Sequence, residues 1–91
     1  MRIQWNRRKA AENIKKHGVS FHEASTVFGD PLAEIQPDVA HSVGEERFLA
    51  FGASEQGRML VVVFTERGDA IRIIGAREMT PRERRDYEVH D

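Results

Sequence analysis

The alternation of apolar and polar positions divides the chain into an early part with helical spacing and a later part with strand spacing. "RIQW", Arg2 to Trp5, alternates like a short strand and leads into Asn6, a residue suited to capping a helix. From Arg7 to Lys16 the spacing predicts a helix with Ala10, Ala11 and Ile14 on its packed side and Arg8, Glu12 and Lys15 on the other. Gly18 then fits the left-handed stop position, with Val19 expected to face Ile14. Ser20 and Glu23 form an S-x-x-E capping box, so a second helix is expected from Phe21, burying Ala24, Val27 and Phe28 before Gly29 and Pro31 close it.

The period then changes. "PLAEIQP" has a weak strand pattern, and "DVAHSVGEE" reads as a polar loop. "RFLAFGAS", "RMLVVVFTE" and "AIRIIGAR" are apolar, β-branched and aromatic runs divided by the turns "EQG" and "RGD", which predicts a three-stranded antiparallel meander. Met59 to Phe64 is apolar on both parities, as expected of a central strand covered on both sides. Thr80, Pro81 and Glu83 supply the cap, first-turn proline and third-position glutamate of a last helix reaching about Val89, anchored by Tyr87 and Val89. The order β-α-α-β-β-β-β-α predicts one α+β domain over residues 1–91, with a mainly antiparallel sheet and the helices packed on one face.

Composition narrows the possibilities. A chain of 91 residues buries only about 60 to 65% of the surface its unfolded form exposes, so its core is thin. It has no cysteine and hence neither disulfides nor thiolate ligands. No apolar run nears the roughly 18 residues of a membrane span, and "MRIQWNRRK" lacks the apolar stretch of a signal peptide, so a cytoplasmic protein with no membrane partner is expected. The net charge is −1, yet residues 1–17 carry six basic residues against Glu12 alone, whereas residues 18–57 carry seven acidic residues against Arg47 alone. That asymmetry can give a near-neutral molecule one positive face.

Most enzyme classes find no support. There is no G-x-S-x-G, phosphate-binding loop, dinucleotide fingerprint, H-E-x-x-H or calcium loop, and His17, His22, His41 and His90 lack metal-ligand spacing. Neither a cofactor nor a metal is expected. What remains is a set of arginines and lysines beside a Glu-Arg pair. Cleaving RNA by attack of its own 2′-hydroxyl needs such a set: a base for the hydroxyl, cations for the charge growing on the phosphate oxygens, and an acid for the leaving oxygen.

"WNRRKAAENIKKHGVSFHEASTVFGDPL", "GEERFLAFG", "GRMLVVVFTERG" and "IRIIGAREMTPRERRDYE" run in order from Trp5 to Glu88. This series resembles the BrnT family of ribonuclease toxins from type II toxin–antitoxin systems. Asn6 stands where that family usually has aspartate; both residues cap helices. The resemblance implies a RelE-like fold, metal-independent endoribonuclease activity that inhibits translation, and neutralisation by a BrnA-type antitoxin. It also implies contact with operator DNA only through the antitoxin complex. The alternative is a non-catalytic module that binds a partner protein and, with it, DNA in transcriptional autoregulation.

Charge layout and resemblance together give a candidate site. Glu46 is the expected base, and Lys9, Arg47, Arg72 and Arg77 are the expected phosphate and transition-state contacts. Arg72, flanked by isoleucines, is expected on the uncovered sheet face; Arg77 has the opposite parity and shares that face only if a bulge at Gly75 re-aims the strand. Lys16, His17 and Arg67 are candidate RNA contacts, although Lys15, Lys16 and His17 also suit a helix C-terminus and Arg67 a solvated turn. For Trp5 and Phe51, core packing outweighs stacking on a base.

Overall fold

A computed structural model describes residues 1–90, the last of them by its backbone alone; Asp91 and the side chain of His90 lie outside the described residues. The elements are β1 (Arg2–Trp5), α1 (Arg7–His17), α2 (Phe21–Ser25), β2 (Glu34–Pro37), β3 (Phe48–Ala53), β4 (Met59–Arg67), β5 (Ala70–Glu78) and α3 (Pro81–His90). This is the α+β order that the sequence predicts. Among the described residues the strands form one sheet in the order β1-β5-β4-β3-β2, with β4 in the centre of the predicted meander. Only β1 joins in parallel, beside β5.

The helix stops and starts depend on side chains already visible in the sequence. Asn6 Oδ1 accepts from the Lys9 N–H at 3.0 Å, and Ser20 Oγ accepts from the Glu23 N–H at 3.0 Å. Gly18 takes φ +68°, and its N–H donates to the Ile14 carbonyl at 2.9 Å, closing α1. Predicted helix residues Val27 and Phe28 are in place, but on a 3₁₀ turn, Thr26–Gly29, that succeeds a shorter α2.

The packed side of α1 differs from the expectation. Ala10 does pack against the core, but Ala11 is exposed, Ile14 is 52% exposed, and the buried residue is Asn13. The cause lies in the sheet. β1 pairs with β5 only as far as Ile73, so the next stretch of β5 has no strand beside it. Asn13 stands in for that strand: its Nδ2 donates to the Ala76 carbonyl at 2.8 Å and its Oδ1 accepts from the Ala76 N–H at 3.1 Å. A second bond, from Nδ2 to the Val19 carbonyl at 2.9 Å, ties the helix stop to the same point, while Val19 turns into the core away from solvent. Buried amide groups need such partners, and Asn13 meets the need better than any apolar residue.

The helices do not all share one face. Val19, Phe21, Ala24 and Val27 cover Ala50, Leu60, Val62, Phe64, Ile73 and Ala76, as predicted for the helical first third of the chain. By contrast, Tyr87 of α3 packs with Val61 and Met79, against Leu49, Phe51 and Met59. These positions have the opposite parity on β3 and β4, so α3 covers part of the second face. Because β4 is apolar on both sides, that second face also needs cover.

Two carboxylates, buried Glu23 and half-buried Asp30, hold the frame. Glu23 accepts from Ser54 Oγ at 2.8 Å and Arg58 Nε at 2.9 Å, and a further Arg58 bond completes the pair. Hydrogen bonding from Arg58 holds its carboxyl below the usual range against the opposing effect of burial. Arg58 also donates to the Gly18 carbonyl at 3.0 Å, linking the end of α1 to β4. Asp30 accepts from the N–H groups of Ala53 at 2.8 Å and Leu32 at 2.9 Å, which lower its pKa, and from the Tyr87 hydroxyl at 3.2 Å. A side chain at Gly52 would come within 3.0 Å of Asp30 and 3.1 Å of Val27, so its neighbours would have to give way by a few tenths of an ångström to admit one.

Candidate nucleic-acid interface

The second face of the sheet owes its chemistry to one extra residue. Along β4 and β5, Val63 stands opposite Gly75 but Phe64 stands opposite Ile73, so Ile74 is bulged out of the ladder. Ile73 and Ala76 therefore both reach the first-face core although they differ in parity. Their neighbours Arg72 and Arg77 consequently share the second face. The sequence made that outcome conditional on a bulge at Gly75; the bulge is present one residue earlier, at Ile74.

Arg72 lies in the middle of this face. It is half-buried, opposite Thr65 of β4 and Gln4 of β1, and flanked by Ile71 and Ile73. Among the described residues its guanidinium has no carboxylate partner, which is costly for a charge partly removed from water. Arg77, opposite Val61, is engaged: its Nη1 and Nη2 donate to Glu83 Oε1 and Oε2 at 2.6 and 2.9 Å. Glu83 also accepts from the Thr80 N–H at 2.9 Å, and its own N–H donates to Thr80 Oγ1 at 3.1 Å, a complete capping box for α3. The Arg77 fork pushes the Glu83 carboxyl down to about 2, and the same pairing raises the Arg77 pKa.

A groove of about 430 Å³ runs between α1 and the bulge, lined by Arg8, Lys9, Glu12, Asn13, Lys16, His17, Ile74 and Gly75. Lys9, Lys16 and His17 come together here because positions one and two turns apart fall on one side of a helix. Gly75 joins this groove to the sheet face, since it lies between Arg72 and Arg77 on β5 and brings no side chain to separate them.

The remaining predicted residues lie toward the other end of the strands. Glu46 and Arg47 immediately precede β3, and the Glu46 carbonyl accepts from Thr65 Oγ1 at 2.8 Å. Because Thr65 pairs with Arg72, the Glu46 backbone is tied to the strand neighbour of Arg72. The exposed Glu46 side chain lines a shallow cavity of about 140 Å³ with Glu45, Phe48, Thr65 and Glu66. Arg47 is half-buried, its N–H donating to Ser42 Oγ at 3.0 Å. Arg67 faces Glu45 at 3.4 Å rather than the groove. The lining of the groove contains neither Glu46 nor Arg47, so the candidate residues form two groups joined through β5.

Trp5 packs edge-on against Phe21 and His22, with ring centroids 6.1 and 4.8 Å apart, while Phe51 lines a cavity beside α3. Two important residues escaped the sequence reading. Asn13 passed as a polar helix residue, and Glu83 was legible only as a cap. Their partners are 63 and 6 residues away, on β5 in both cases. Among the described residues, no three His, Cys, Asp or Glu side chains converge to hold a metal, and no helix is long and apolar enough to cross a membrane.

A family model described as "Ribonuclease toxin, BrnT, of type II toxin-antitoxin system" matches residues 5–83. The fold is similar to the 1.1 Å crystal structure of the Brucella abortus ribonuclease toxin, BrnT, with a TM-score of 0.69 and 25% sequence identity, over 88% of this chain and 97% of that one. No curated protein matches the sequence.

Proposed function

The chain belongs to the BrnT family of ribonuclease toxins of type II toxin–antitoxin systems, and from that premise we propose that it cleaves RNA on the second face of its sheet. In this reading the RNA's own 2′-oxygen attacks phosphorus and expels the 5′-oxygen, leaving a 2′,3′-cyclic phosphate and a 5′-hydroxyl. Cleavage takes place in the cytoplasm and stops translation. A BrnA-type antitoxin neutralises the toxin, and operator DNA is contacted only by the complex.

One observation carries the proposal: a half-buried guanidinium, Arg72, with no carboxylate partner among the described residues, at the centre of a polar sheet face that opens onto a basic groove. A planar fork at that position suits two oxygens of one phosphate. Arg77 supplies a second cation to the same face when its Glu83 pairing is shared or exchanged. Glu46, tied by its backbone to Thr65 beside Arg72, is the base for the 2′-hydroxyl, and Arg47 stands next to it. Lys9, Lys16 and His17 hold the flanking strand in the groove. Arg67, already faced by Glu45, has a peripheral part.

Such chemistry needs preorganised charge rather than a metal ion. Purified protein incubated with single-stranded RNA in excess EDTA is expected to leave cyclic-phosphate and 5′-hydroxyl ends. Abolition of cleavage by the chelator, or 5′-phosphate products, contradicts the mechanism.

A further inference from the structure

The opposite edge of the sheet has different chemistry. β2 pairs only with β3 and ends the sheet. Such an edge directs every second N–H and C=O group outward, where another strand can pair with it. Of the seven large apolar residues exposed among those described, four fall within residues 32–43: Leu32 (58%), Ile35 (57%), Val39 (80%) and Val43 (88%). Isolated exposed apolar residues are ordinary, but this concentration on β2 and the segments flanking it is not.

Charge adds direction. From Asp30 to Glu46 the chain holds Asp30, Glu34, Asp38, Glu45 and Glu46, with no lysine or arginine. On the second face, a cavity of about 340 Å³ opens beside β2, lined by Glu34, Gln36, Phe51, Glu83, Asp86 and Tyr87. Its lining carries the carboxylates of Glu34, Glu83 and Asp86 beside two aromatic rings. RNA phosphate is repelled here. A cationic side chain is attracted, by charge and by the ring faces.

We propose that the β2 edge is where the antitoxin anchors: a basic, extended segment with alternating apolar residues adds to the sheet beside β2. Its apolar side chains cover Ile35 on one face. Those of the other parity bring an arginine or lysine over Glu34 and the cavity floored by Phe51 and Tyr87. The existence of an antitoxin rests on the family assignment, whereas the docking place rests on the open edge, the apolar strip and the charge. RNA cleavage enters neither argument.

The test uses the full chain coexpressed with the product of the adjoining reading frame. The amide of Ile35, the β2 N–H that the ladder with β3 leaves facing outward, is expected to exchange at least about tenfold more slowly in the complex. Ile35→Arg, at an exposed site, is expected to weaken the complex at least about tenfold while leaving circular dichroism and RNA cleavage by the free protein unchanged. Raising salt should weaken the wild-type complex. The proposal is overturned if no complex forms, if the Ile35 amide keeps its free exchange rate while β5 or α1 become protected, or if Ile35→Arg binds as tightly as wild type. A protein that docks its partner at β2 but never cleaves RNA would instead remove the ribonuclease reading and leave this one standing.

Discussion

The two edges of the sheet meet solvent in opposite ways. At one, β1 runs out at Trp5 and the backbone of β5 is closed by the Asn13 amide, with Lys9, Lys16 and His17 around it. At the other, β2 keeps its outer backbone open, and the surrounding segment carries five acidic residues and no basic ones. Beyond the end of β1 the basic edge is closed at Ala76 by a side chain, and the β2 edge is hostile to phosphate. With RNA and the antitoxin docked as proposed, the two would be kept apart although the net charge is only −1.

The strongest way to break this division is through Arg72. Arg72→Ala is expected to lower the RNA cleavage rate by about 10²- to 10³-fold, the usual loss for one donor to a developing oxyanion, while partner binding at β2 persists. Arg72→Lys should recover only part of the rate, because an ammonium cannot make the two-pronged contact. If Arg72→Ala instead releases the partner and leaves cleavage intact, the assignments of the faces are reversed. The next largest effect belongs to Asn13. Asn13→Ala strands the Ala76 N–H and carbonyl in a buried edge, and urea unfolding should show a loss of roughly 2 to 3 kcal/mol. A loss of only a few tenths means that water satisfies Ala76 and that the edge is not sealed by the side chain.

The contrast between edges was only half legible in the sequence. Local signals were reliable where local physics decides: the Asn6 and Ser20 caps, the Gly18 stop and the alternation of β3 to β5 all lead to the observed elements. Charge asymmetry pointed to a basic side. What failed depended on distant partners. Ile14 looked like core because it has helical spacing, but the position facing β5 is Asn13, and only the short reach of β1 explains why an amide belongs there. The placement of α3 failed for a related reason. Tyr87 is a large apolar anchor on any reading, yet the face it covers depends on the twofold apolar character of β4 and on the Asp30 junction it reaches. The shared face of Arg72 and Arg77 rested on whether the β-strand period would break. Glycine at position 75 hinted at that break without fixing it.

Arg77 and Glu83 lie between the two edges, and acid separates their contributions. The folded Glu83 carboxyl titrates at about 2, below its ordinary value of 4.5. A depressed carboxylate stabilises the fold at pH above its unfolded pKa, and that contribution disappears as pH falls from about 4.5 toward 2. Because the pair is partly exposed, its worth is roughly 1 to 2 kcal/mol. Glu83→Gln should therefore be less stable than wild type by that amount at pH 6, with the gap closing near pH 2. Glu23 and Asp30 are also depressed and will weaken both proteins together, so the difference between the two isolates Glu83. A gap that stays constant down to pH 2 would mean that the capping geometry, and not the charge, is what Glu83 contributes.

The smallest effect is also the most direct measure of where RNA runs. Binding to a single strand releases counterions, so the affinity falls with salt with a slope of about 0.7 per phosphate neutralised. With an RNA that lacks the 2′-hydroxyl at the cleavage site, Lys9→Ala and Lys16→Ala should each reduce the slope by about 0.7 and cost less than about tenfold in affinity near physiological salt. Glu34→Lys adds a positive charge at the far edge, beside the cavity at β2. If the edges are separate, it leaves the slope unchanged, because a lysine there meets no phosphate. An increase of the same size would place RNA across the acidic edge, and the division between the surface for RNA and the surface for protein would fall with it.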